Sequence, residues 1–162
     1  MTDMPWETEL TELLGELSSA QDELLVVLNR KLELLAATDA AGLEQLLPTE
    51  QALSDRLQAC YQRRLVMLER AKLQGLPSDS LRSLTGALPG DRRKSLQAQV
   101  DQAAGKSRLL QHQSLTNWVV VQRTLLHLAQ LLEIIATGGR LRPTYGDGET
   151  AGSGGALLDS AA

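Results

Sequence analysis

Leucine recurs every three or four residues through most of this chain, and no phenylalanine accompanies it. Between Trp6 and Ala37, the positions Leu10, Leu13, Leu17, Ala20, Leu24, Leu28, Leu32 and Leu35 fall on one side of an α-helix. A sheet would call for β-branched and aromatic residues instead. Here only Trp6, Trp118, Tyr61 and Tyr145 supply large rings, and Val and Ile are sparse and mostly confined to 119–135. With 34 leucines in 162 residues, enough for one domain with a real core, the chain predicts an all-α fold. The expected architecture is an elongated antiparallel bundle of three long helices, with a short connector helix and a flexible C-terminal tail.

Punctuation residues divide the pattern. Thr38-Asp39 reads as a turn and an N-cap. A second helix over about 40–74 places Leu43, Leu46, Leu47, Leu53, Leu57, Tyr61, Leu65 and Leu68 on its apolar side, with a kink or short break expected at Pro48. Gly75 and Pro77 end it. Residues 76–90 hold Pro77, Gly86, Pro89 and Gly90 and leave room only for a short helix over 80–85, capped by Ser78. A last helix over about 91–136 carries Leu96, Val100, Ala103, Leu110, Trp118, Val121, Leu125, Leu128, Leu132 and Ile135 at near-heptad spacing, and Gly138-Gly139 close it. The expected division is a helical bundle domain over 1–139 and a glycine-rich tail over 140–162, whose ordering would cost too much entropy without a partner.

Charge is unevenly distributed. Residues 1–60 carry 12 acids and 3 bases, whereas residues 61–142 carry 5 acids and 13 bases. Acidic and basic helices packed side by side account for this. A nucleic-acid patch at Arg92, Arg93, Lys94, Lys106 and Arg108 is the rival reading, but no recognition motif accompanies it and the whole chain is acidic, so no nucleic-acid partner is expected. A lone Cys60 allows no internal disulfide, and the acidic start MTDMPWETEL lacks the basic and apolar stretches of a signal peptide. Both point to a cytoplasmic protein.

Catalytic and metal motifs fail on inspection. AAGKS at 103–107 lacks the first glycine of a phosphate-binding loop, since Val100 stands there, and it lies inside a helical pattern. His112 and His127 have no ligand at three- or four-residue spacing. Cys60 has no histidine nearby in sequence and reads as buried filler. The chain is read as a non-enzyme without cofactor or metal.

The strongest functional signal is WVVVQRTLLHLAQLLEIIA at 118–136, in which 13 of 19 residues are apolar. One bundle-facing stripe does not need so many. A second stripe runs through Val120, Arg123, His127, Leu131 and Ile134. A membrane span fits poorly, because Gln122, Arg123, His127, Gln130 and Glu133 interrupt the window. Burial within its own bundle, a docking surface for a partner helix, and closure of a homodimer stay open.

Two local features accompany this helix. The segment QSLTNWVV places Asn117 where the apolar half begins, with Ser114 three residues before it, and Tyr145-Gly146-Asp147-Gly148 follows the helix. On these features and on Leu-rich spacing over 10–148, the chain resembles the FlgN-like family of flagellar export chaperones. That family often opens its apolar half with Asn-x-x-Asn, of which the second asparagine is present here, and closes with a Tyr-Gly-x-Gly-like turn. The resemblance implies a cytoplasmic chaperone that binds the apolar helical end of hook-filament junction proteins through its C-terminal part and delivers them to the type III export apparatus. It leaves contacts with export-apparatus components open. Asn117, Val120, Arg123, His127, Leu131, Ile134 and Tyr145 are the candidate partner-binding residues. A homodimeric helical adaptor without an export role is the alternative.

Overall fold

The computed structural model describes residues 5–138, and its contacts divide the chain between Thr124 and Leu125. Among the described residues there are four helices and no strand: α1 (Trp6–Ala36), α2 (Ala40–Leu73), α3 (Leu81–Ala87) and α4 (Arg93–Thr137). The tail at 140–162 and Tyr145 lie outside the described residues.

In the unit ending at Thr124, α1 and α2 form an antiparallel hairpin. Carboxylates of α1 meet arginines of α2 along its length. Arg70 Nη1 donates to Glu9 Oε1 at 2.8 Å, Arg56 bridges Glu16 at 2.8 Å and Glu23 at 3.0 Å, and Lys31 of α1 reaches Glu50 at 2.9 Å. Of the pairs along this interface, Glu9–Arg70 and Glu12–Arg63 join the acidic block 1–60 to the basic block that follows. At the open end, the Arg70 guanidinium also lies 4.2 Å from the centre of the Trp6 ring, and Trp6 Nε1 donates to Gln74 Oε1 at 3.1 Å.

The next long helix, α4, runs parallel to α1. Lys106 Nζ donates to Ser18 at 2.7 Å and to Asp22 at 2.8 Å, and Gln21 Nε2 donates to the Ala103 carbonyl at 3.1 Å and to Ser107 Oγ at 2.9 Å. The up-down-up order makes this an all-α antiparallel bundle. Leu10, Leu13 and Leu14 of α1 meet Met67, Leu68 and Ala71 of α2, Leu81 and Leu84 of α3 and Leu96 of α4 in one core cluster. Burying a leucine of this kind contributes about 2 kcal/mol.

Both turns flanking α2 are set by capping. Asp39 accepts from the Gly42 amide at 2.9 Å, and Ser80, not Ser78, caps α3 by accepting from Ser83 N at 3.1 Å. Helix α2 continues through Pro48 without a break, where a kink or short break was expected. Pro48 and Glu44 are both exposed, so the carbonyl deprived of its helical donor lies in a solvated turn. At the end of α2, Gly75 (φ +71°) lets its amide reach Lys72 O and that of Leu76 reach Ala71 O. The end of α1 has the same hydrogen bonds, Thr38 N to Leu35 O and Asp39 N to Leu34 O, but places Thr38 at φ 53°. A β-branched residue is strained there.

Replacing Thr38→Gly should therefore stabilise the fold by about 1 kcal/mol, seen as a Tm increase of ~4 °C. Hydrogen bonds from Arg56, and then Ser19, hold the Glu23 carboxyl below its ordinary range. Its stabilising effect is present above the unfolded-state value and is lost as pH falls through the folded-state value. Thermal melts across acidic pH should show a shallower acid-side decline in Glu23→Gln than in the parent chain.

Candidate functional site

Helix α4 changes character along its length. Its first half buries Leu96, Ala103, Leu110 and Asn117, four positions seven residues apart. This is the seam against α1. Trp118, expected inside, is 60% exposed, and the buried position is its neighbour Asn117 at 4%. Asn117 Nδ2 donates to the Leu28 carbonyl at 3.2 Å, while its Oδ1 has no partner among the described residues. Polar residues increasingly line the seam towards this point: Lys106 pairs with Asp22, and Gln113 Nε2 donates to Asn29 Oδ1.

Beyond Thr124 the pattern reverses. Every described residue from Leu125 to Gly138 is exposed, including Leu132 at 66% and Ile135 at 75%. Leu125, Leu128, Leu132 and Ile135, expected as seam residues, lie in this bare segment. Extending the heptads from Asn117 leads through Thr124 to Leu131, which is also exposed. The helix therefore presents leucine and isoleucine on much of its circumference. By length and composition alone α4 could cross a membrane, since an 18-residue window reaches a mean hydropathy of 1.4. Gln122, Arg123, His127, Gln130 and Glu133 fall among its apolar residues and make hydrocarbon an expensive solvent for it. Exposed apolar surface of this extent is common at protein docking sites.

The candidate partner residues separate accordingly. Arg123, His127, Leu131 and Ile134 are exposed on α4, and Val120 is half-buried where the two halves meet. Asn117 is a correction, because its amide is sequestered against α1 and is not presented to a partner. Tyr145 lies outside the described residues.

A family model described as FlgN protein matches residues 1–152. The chain belongs to the FlgN family. No curated protein and no solved structure matches it. FlgN proteins act as chaperones in flagellar export. In this FlgN chain Cys60 is buried, and burial raises its thiol pKa, which suits filler and not a nucleophile.

Sequence reasoning placed Trp118 where Asn117 lies, because an aromatic ring outranks an amide as a core candidate. The strict seven-residue interval from Leu96 was the signal that could have found Asn117. A buried amide satisfied on one side only fixes register at a cost in stability. Asn117→Leu should raise stability by about 1 kcal/mol in chemical denaturation, with helicity unchanged.

Proposed function

We propose that this chain is a cytoplasmic flagellar export chaperone that holds the apolar helical end of hook-filament junction proteins. It prevents their premature association and delivers them to the type III export apparatus. The observation that carries this reading is the bare apolar second half of α4, where no described residue from Leu125 onward is buried. A cargo helix that self-associates through an apolar face would find a complementary face there. Val120, Leu131 and Ile134 are its apolar contacts, and Arg123 and His127 set its polar edge. Neither Arg123 nor His127 has an ion pair among the described residues, so both are free to meet polar groups of the cargo. Tyr145 is proposed as an anchor from the segment that follows.

Titration calorimetry of the full chain with the C-terminal helical segment of a hook-filament junction protein from the same genome tests this. One-to-one binding is expected, weakened about tenfold or more by Leu131→Asp while circular dichroism stays unchanged. A chain of residues 1–139 should bind more weakly if Tyr145 is an anchor. Absence of binding by the folded full chain refutes the cargo assignment. A dimer in light scattering that Leu131→Asp dissolves would instead favour the homodimeric adaptor.

A further inference from the structure

A second apolar feature lies wholly within the unit ending at Thr124. Helix α1 touches both α2 and α4, and a groove of about 690 Å³ opens between those two helices, with α1 as its floor and α3 at one end. Leu17 forms the floor, Leu57 and Tyr61 one wall, and Val100 and Ala104 the other. Tyr61 and Ala104 are exposed, so the groove is open to solvent. Along α4 it extends from Val100 to Gln111, about 16 Å at the helical rise and so about three turns of a helix laid alongside.

Two polar groups in this lining lack the partners their neighbours have. Five arginines lie on α2 and α3. Arg56, Arg63, Arg70 and Arg82 each pair with a carboxylate. Arg64, half-buried in the groove wall, has no ion pair among the described residues. Gln21 also lines the groove and is 1% exposed, yet its Oε1 accepts no hydrogen bond among the described residues. A buried acceptor without a donor is costly.

We propose that the groove between α2 and α4 docks an amphipathic helix of a partner protein, two to three turns long, with leucine-sized residues on its apolar face and a carboxylate that pairs with Arg64. Such a helix would fill the fourth position of a four-helix bundle, covering Leu17, Leu57 and Val100. This site is separate from the exposed half of α4 and does not depend on what that half binds.

The test uses the full-length chain and a fluorescein-labelled, 16-residue designed helix with leucines at heptad a and d positions and a flanking glutamate, followed by anisotropy. Saturable binding is expected. Ala104→Arg, an exposed substitution that fills the groove, should weaken it about tenfold or more. Arg64→Glu should weaken it about threefold, and a probe with lysine replacing the glutamate should regain that loss on the Arg64→Glu chain. Leu131→Asp should change nothing. The charge swap at Arg64 keeps the test decisive if Ala104→Arg fails to fold. Three results would each overturn the proposal. One is no binding by the parent chain, and another is binding lost in Leu131→Asp but kept in Ala104→Arg, which assigns the probe to α4. The third is a dimer in sedimentation equilibrium that Arg64→Glu or Ala104→Arg dissolves, which makes the occupant a second copy.

Discussion

Helix α1 cannot be covered from one side. Its buried positions form two adjoining columns, Leu13, Ala20, Val27 and Leu34 in one and Leu14, Gln21 and Leu28 in the other. A single partner helix covers a narrow seam, so two columns require two partners. The rest of the first unit follows from that demand. Helix α2 meets α1 in antiparallel fashion across the arginine–carboxylate pairs, and α4 meets it in parallel across Lys106, Gln21 and Asn117. Because α1 separates its two partners, a groove opens between them. Exposed ion pairs add little energy individually, but several in sequence along one interface penalise any slip in register.

Much of this was legible in the leucine spacing. Both long turns, the order of the helices and half of the α1 stripe (Leu10, Leu13, Ala20 and Leu28) follow from it. Two of the errors share a cause. In α2, Leu53, Cys60 and Met67 are buried seven apart, with Leu68 and Ala71 beside them, whereas Tyr61 was expected inside and is half exposed. In α4 the same displacement by one residue separates Asn117 from Trp118. In each case the larger ring was taken for the core residue beside a smaller or more polar one that holds the heptad position. The coiled-coil period decided the matter over side-chain hydrophobicity. Pro48 misled for a different reason: a proline breaks a helix only where the lost bond has no substitute, and an exposed turn supplies water.

The groove could not be read from sequence at all. Its lining comes from four elements, and Leu17, Leu57 and Val100 look like ordinary core positions on their own helices. Only the distance between α2 and α4 makes them a surface. The bare half of α4 was legible as surplus hydrophobicity, yet the same residues suited a helix buried on several sides. What separates the two outcomes is the exposure of every described residue from Leu125 to Gly138.

A helix left uncovered for more than a dozen residues would ordinarily be marginal in water, since nucleation is costly and short isolated helices gain little. In α4 the nucleation is already done. The turns from Leu96 to Asn117 are fixed by packing, and each residue beyond adds only a propagation step, favourable for the Leu, Ala, Gln and Glu that dominate 125–133. The polar drift of the seam through Lys106, Gln113 and Asn117 then has a rationale. It secures α4 to α1 by hydrogen bonds and an ion pair, leaving leucine and isoleucine for the segment beyond. A preformed apolar helix presents its surface without a further ordering cost. Arg123, His127 and Glu133 interrupt that surface, so it is less uniformly apolar than a buried core seam.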